Sequence, residues 1–372
     1  MTTSNFTVSQ ELFCKAITDA NNSVGTSISL PVIQNIAISV LDGFIDVKST
    51  DLSTSFSRRL KASTSGNGSI AVPADKISRI VKELPKEDVI AEIDDEMNIC
   101  VRCGSSRFTI SGCSTESFPS INIDEDSVIA NIVVDSDELA RAIRCTAFVC
   151  SDVASRYQMD CIHFDVKYGN IEMAATDSKR VSVYKMNGVC DDDVEVDVNI
   201  NGDGLKKLLK ISNIANKTKV KFTKRCTLFT IGDTDVSIAN NASIFPPYQQ
   251  VLEREPTAEV FVKRADLFSA VKRVAVLANE ETNRLSMSID KGVLTLSGKQ
   301  AAGFVTEKIP IEQDDVTLSS AYNHKYLTEM LKSMKSDALL IQLTSGEQPA
   351  IFLPQNDDEL RYKHCIMPMF DS

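Results

Sequence analysis

The chain has 372 residues, 43% hydrophobic and 24% charged, enough apolar material for two to four packed domains and too much for a disordered polymer. It has no run of about 18 apolar residues, so a membrane-spanning helix is excluded. A net charge of −11 argues, taken alone, against a nucleic-acid partner, because phosphates need cations.

In chain order, the opening "MTTSNFTVSQELF" lacks the basic start and apolar stretch of a secretory signal, so a cytoplasmic protein is expected. A helix is predicted over 9–22, then strands in "NIAISVLDGFIDVKSTD" around an Asp-Gly turn. A second helix, 74–86, carries the stripe Ile77-Ile80-Val81. "NICVRCGSSRFTIS" reads as a hairpin containing Cys100 and Cys103, the only Cys-x-x-Cys among ten cysteines. No second pair completes a zinc site, so these thiols are assigned to the core and edge of the hairpin and no metal or cofactor is expected. Helices follow at 136–150 and 202–217, the latter with Leu205-Leu208-Leu209, separated by the strands of "CIHFDVKYGNIEMAATD". After the hairpins of "KVKFTKRCTLFTIGDTDVSIAN" come helices at 263–279 and 323–336, with "RLSMSIDKGVLTLSG" between them. The sequence finishes on Ile366, Met367, Pro368, Met369 and Phe370, an apolar patch where polar, fraying residues are usual.

These elements repeat. "VSQELFCKAI" at Val8, "VDSDELARAI" at Val134 and "VKRADLFSAV" at Val262 share one ungapped pattern at spacings of 126 and 128. The three helical stripes recur at 128 and 122, Phe118-Pro119 returns as Phe245-Pro246, and Thr50-Asp51 returns as Thr176-Asp177. The chain therefore reads as three tandem α+β copies, 1–127, 128–256 and 257–372, each a doubled strand–helix–strands motif with its two helices on one side of antiparallel sheet.

The six helical windows hold 18 Lys and Arg against 9 Asp and Glu, while the remainder holds 22 basic and 42 acidic residues. Lys206, Lys207, Lys210, Lys272, Arg273, Lys332 and Lys335 flank the apolar stripes. Glu favours helices as well as Lys does, so its scarcity is not a propensity effect. Helices gathered on one surface would form a cationic track in an anionic shell, suited to a polyanion gripped by its phosphates without base reading. Six helices at roughly 9–10 Å spacing leave a hole of only about 8 Å, and twelve leave about 25 Å, so a ring passing a duplex of roughly 20 Å needs at least two chains.

At this point the residues show a resemblance. "FTVSQELF", "SLPVIQNI", "STDLSTSF", "AVPADKI", "SSRFTIS", "ATDSKRVSV", "FPPYQQVL", "AYNHKYLTEML" and "IMPM" are similar, in order, to motifs of the bacterial sliding clamp family, the DNA polymerase III beta subunits. The resemblance implies a head-to-tail homodimer ring around double-stranded DNA, with helices lining the hole and sheets outside. It also implies a pocket for short linear peptides of the replicative polymerase, the clamp loader and repair proteins. The pocket positions map to Met159, Thr176, Ser178, Lys179, Arg180, Val181, Pro246, Val251, Asn323, Tyr326, Pro349, Ile366, Met367, Pro368 and Met369. The DNA-facing set gains Tyr157 and Gln158, and the dimer contact maps to Phe108 against Val276 and Leu277. The chain departs from the family pattern at Ser178-Lys179, where many members carry Gly-His, at Gln249-Gln250, at Ser27 and Asp75, and at its Phe370-Asp371-Ser372 ending.

The function implied is a non-catalytic processivity factor that slides without sequence preference and tethers its partners. As an enzyme the chain has little to offer: "ATDSKR" supplies a Ser-Lys pair without a Gly-rich oxyanion turn, and no G-x-x-x-x-G-K-[ST] is present. The alternative is a β-rich repeat module binding protein or carbohydrate, which leaves the basic helices unexplained.

Overall fold

A computed structural model describes residues 4–119, 125–151, 159–190, 194–211, 215–312, 317–355 and 361–370. Its helices are α1 (Gln10–Ala20), α2 (Ala74–Glu83), α3 (Ser136–Thr146), α4 (Gly202–Leu208), α5 (Gln249–Leu252), α6 (Arg264–Ala275) and α7 (His324–Ser333). The other regular elements are antiparallel strands and short 3-10 turns. The repeat is visible in single bonds. The first residue of each copy's first helix donates its backbone N–H to the chain beyond the second helix: Gln10 to Glu87 O at 3.1 Å, Ser136 to Asn216 O at 3.0 Å, and Arg264 to Asp337 O at 2.9 Å.

The chain divides into two compact units, and the division cuts through the middle copy. Unit 1 comprises residues 1–140, 167–169 and 188–241. It contains a five-stranded sheet whose edge is Ser106–Ser111, beside Asn98–Cys103. A longer run of strands crosses from copy one to copy two where Thr54–Lys61 pairs with Thr234–Asn241. In this unit α1 buries Phe13, Ala16 and Ile17, and α2 buries Ile77 and Val81. Phe13 meets Phe6 edge-on at 5.7 Å, and Gln10 Nε2 donates to Val81 O at 2.7 Å. Arg58, 2% exposed, donates through Nε to Thr234 Oγ1 at 2.6 Å and pairs with the equally buried Asp19 at 2.8 Å.

Unit 2 comprises residues 141–166, 170–187 and 242–372. Here a four-stranded sheet has Gly303–Pro310 at its edge, and a second sheet joins the copies where Arg180–Val189 pairs with Tyr362–Ile366. α6 buries Leu267, Ala270, Val271 and Val274; α7 buries Leu327, Met330 and Leu331. Arg264 caps α7 by donating to Leu331 O at 3.1 Å, an end-of-helix carbonyl, and holds the chain beyond it through Ser336 O at 2.9 Å.

One helix is shorter than expected. The pattern over 202–217 predicts three to four turns, but α4 stops at Leu208. Asn201 caps its start by accepting from Gly204 N, and Gly202 and Gly204 weaken its first turn. Lys210 N and Ile211 N then bond the carbonyls three residues back, tightening the chain out of the helix. The one-turn α5 was not foreseen. The hairpin thiols behave as expected: Cys103 is buried, Cys100 half-buried.

Candidate functional site

The site in unit 2 begins with a turn. Thr176 ends one strand and Arg180 begins the next. Asp177 Oδ1 accepts the backbone N–H of Lys179 at 2.9 Å and of Arg180 at 3.0 Å, while Thr176 Oγ1 donates to Arg180 O at 2.8 Å and accepts from Ser178 N at 3.2 Å. This network holds Ser178 at φ +71°, a left-handed conformation that non-glycine residues seldom adopt.

The chain's last strand is laid beside this turn. Arg180 pairs with Ile366 and Val181 with Cys365. Beyond the strand, Met367 N donates to Lys179 O at 2.8 Å and Met369 N to Ala321 O at 2.8 Å, while Arg284 Nη1 donates to Met369 O at 3.2 Å. Pro368, which has no N–H to lose, sits buried between these anchors. Met367 is left partly exposed and Phe370 more so. Below lies an apolar cluster of Ala174, Val181, Val183, Tyr248, Leu252 and Cys365, with Phe245 and Val251 packed against it. His163 stacks on Phe245 at 4.9 Å, and the Tyr248 hydroxyl donates to Glu172.

Arg180 fixes one wall. Its guanidinium, 7% exposed, donates to Asp177 Oδ2 at 2.9 Å, to Glu329 Oε2 and to Phe148 O, and lies 4.2 Å from the Tyr326 ring centroid. Burial, then the charge of Asp177, holds the Tyr326 phenol above its usual range. Asn323 caps α7 through Lys325 N, setting Tyr326 one turn in. Pro349 adjoins Ala350, which pairs with Ile366. Met159 is buried and accepts from Ser151 N; Pro246 is half-buried beside Phe245. Thus the turn residues and Ile366 through Met369 are tied together by backbone bonds, Arg180 joins them to Tyr326 and Glu329 of α7, and Val251 packs on the cluster that holds Val181, while Asn323 and Pro349 are placed only through their neighbours in the chain. Lys179 stands exposed beside Met367. Such a surface can take an extended apolar peptide, with thioethers adapting to its anchors.

Sequence reading missed Glu329 and Phe148. Glu329 was within reach: it stands 122 residues after Lys207, the spacing that relates the two helical stripes.

Unit 1 carries the same turn at Thr50-Asp51-Leu52-Ser53-Thr54. Asp51 Oδ1 accepts from Ser53 N at 3.0 Å and Thr54 N at 2.7 Å, Leu52 has φ +77°, and Ala239 N donates to Ser53 O at 2.8 Å, as Met367 N does to Lys179 O. Its surroundings differ. Ala239, Asn240 and Asn241 take the places of Met367, Pro368 and Met369, and Gly204 that of Tyr326.

The cations expected on a DNA-facing surface are not equivalent. Lys210, Lys272 and Lys332 are exposed and Lys206 is half-buried. Lys207 departs from the expectation of a solvent-facing cation: it is 18% exposed and bridges Asp51 and Asp203. Burial pulls its pKa down, but the hydrogen bonds and charges of those carboxylates prevail and raise it. Arg273 forms a two-pronged pair with Glu307 at 2.8 Å and 2.8 Å. Tyr157 and Gln158 lie outside the described residues. Of the expected dimer contacts, Phe108 is exposed on the edge strand Ser106–Ser111 of unit 1. In unit 2, Val276 is 74% exposed and Leu277 half-buried.

Three family models match in succession: the N-terminal domain of the DNA polymerase III beta subunit over residues 4–123, its central domain over 133–240 and its C-terminal domain over 249–370. The beta sliding clamp of Synechococcus elongatus is 26% identical over 368 residues, covering 94% of this chain and 97% of that protein. The beta sliding clamp of Treponema pallidum is 25% identical, covering 97% and 98%. The crystal structure of the Bacillus subtilis DNA polymerase sliding clamp superposes with a TM-score of 0.92 at 21% identity, covering 99% of this chain and all of that one. A Pseudomonas aeruginosa sliding clamp bound to griselimycin gives 0.92 at 22%, with coverage of 99% and 100%.

Proposed function

From the premise that this chain belongs to the DNA polymerase III beta-subunit family, we propose that it is a homodimeric ring that encircles duplex DNA and tethers partners at the depression around Met367. The chain is a processivity factor and not itself a catalyst. Its domains are 1–127, 128–256 and 257–372.

The observation that carries the tethering site is the pinned segment Met367–Met369. Its backbone is fixed at Lys179 O and Ala321 O while Met367 stays open to solvent beside the apolar cluster. Polymerase, clamp-loader and repair peptides are the ligands. Arg180, held by Asp177 and Glu329, keeps the wall in place whether or not a peptide is bound, which lowers the ordering cost of binding.

Dimerisation joins edges. Ser106–Ser111 ends one sheet and Gly303–Pro310 another, and each edge bears exposed apolar groups, Phe108 on the first and Phe304 (78% exposed) on the second, with Val276 and Leu277 following α6. An uncovered strand edge is a template for pairing with a second copy. DNA is held weakly through the half-buried Lys206 and the exposed Lys210, Lys272 and Lys332, so that retention is topological.

A fluorescent polymerase-derived peptide titrated against full-length protein and against a chain lacking residues 367–372 tests the site. Binding is expected to be lost while dimerisation persists; unchanged affinity would remove the assignment. The rival of a sugar- or protein-binding repeat module predicts no loss of plasmid association when a nicked circle is linearised.

A further inference from the structure

We propose that a basic cavity in unit 2, separate from the peptide depression, is a binding site for a phosphate ester. The cavity measures about 370 Å³, within the range of small-ligand sites. Three cations converge on it from three stretches of chain: Arg141 of α3, Lys335 just beyond α7, and Arg361 at the start of the last strand. Among its described lining residues the one carboxylate is Asp337.

Arg141 and Lys335 are exposed, and neither has an ion pair among the described residues. Arg141 and Lys335, like charges brought to one cavity with neither in such an ion pair, repel one another, and an anion with several oxygens relieves that repulsion. Guanidinium groups match phosphate oxygens in pairs, and the ammonium adds a point charge, so a dianionic ester fits better than a single carboxylate. Buried Met334 and the hydroxyls of Ser333 and Tyr362, bonded to each other at 3.1 Å, close the floor.

The two sites occupy opposite ends of one strand pair. Arg180 faces Ile366 at the peptide end, and Tyr184 faces Tyr362 at the cavity end, four residues along, or about 13 Å at about 3.3 Å per residue. The terminal phosphate of a free nucleotide carries that double charge, whereas each backbone diester of a duplex carries only one.

The test uses the full-length protein at low salt with three probes: adenosine monophosphate, inorganic phosphate and a short linear duplex, titrated calorimetrically. A hydrogen bond to a charged group contributes about 1.5–3 kcal/mol, so R141Q/K335Q should weaken binding by at least about tenfold. K179Q, altered at the peptide end, should leave it unchanged. Nucleotide binding that the duplex does not displace identifies a free nucleotide as the source. Duplex binding whose salt slope falls by about one for each cation removed, without saturable nucleotide binding, would assign these cations to backbone phosphate and overturn the proposal. The proposal is overturned if no probe binds saturably, or if R141Q/K335Q binds as the wild type does. A polymerase-derived peptide should bind R141Q/K335Q normally, so failure here leaves the tethering site standing.

Discussion

Arg180 shows how much one residue can be asked to do. It joins the Thr-Asp turn to α7 through Asp177 and Glu329 and stacks on Tyr326. Removing it strands the Asp177 carboxylate, which is 12% exposed, so R180A should cost about 3 kcal/mol in chemical denaturation and weaken peptide binding. R180K keeps the charge but loses the fork, and is expected to recover stability better than peptide affinity. A second residue sets a pH dependence. His364 is fully buried, stacks on Phe148 and contacts Ser182 Oγ through Nδ1 at 3.1 Å. Burial, then the charge of Arg180, holds its pKa well below the ordinary value of 6.5. The unfolded chain therefore binds a proton that the folded chain refuses. Stability is full above pH 6.5 and falls as pH drops below it, by up to about 1.4 kcal/mol per unit. Melts of wild type and H364Q between pH 7 and 5 should show the slope reduced in the variant; equal slopes would remove His364 as the cause. Neither role was legible in the sequence. "ATDSKR" announced a functional turn, but nothing local says that its arginine reaches 149 residues ahead to Glu329.

At the scale of elements, sequence reading did best where local chemistry and periodicity agree. The stripes Ile77-Ile80-Val81 and Leu327-Met330-Leu331 fixed α2 and α7, and the Thr-Asp turns recur bond for bond in both units. It did worst at α4, where the apolar period continues past Leu208 but a 3-10 exit ends a helix whose first turn two glycines already weaken. Gly204 is the informative position. Alanine there should gain about 1 kcal/mol in helix propensity. Yet its Cβ would stand 2.4 Å from Ile238 Cγ2 and 2.9 Å from Thr54 Oγ1. Overpacking of this kind costs about 1–3 kcal/mol, so G204A is expected to lower the melting temperature. The buried Arg58–Asp19 pair ties α1 to the strand that meets copy two. R58A should cost about 3–5 kcal/mol by leaving Asp19 uncompensated, and an apolar double replacement should cost less.

For the whole molecule, the threefold pattern was legible in the sequence because repeat spacing and helix stripes are periodic, and three successive family domains match it. The charge partition was coarser than it looked: Lys207 and Arg273 spend their charge on Asp51, Asp203 and Glu307. The native particle is expected to have twice the chain's mass, and a monomer at micromolar concentration would end the ring reading. Rings loaded on nicked plasmid should survive high salt and be shed on linearisation, whereas direct contacts to short linear duplex weaken steeply with salt. The duplicated turn has a consequence for stoichiometry. Both junctions inherit one blueprint, but at the first the side-chain-free Gly204 is wedged against Ile238 and the methionines are exchanged for alanine and asparagines. Grafting Met-Pro-Met there would leave the aromatic wall impossible to install. On the proposed reading each chain is expected to offer one berth, so two polymerase-derived peptides titrated together should compete rather than bind side by side.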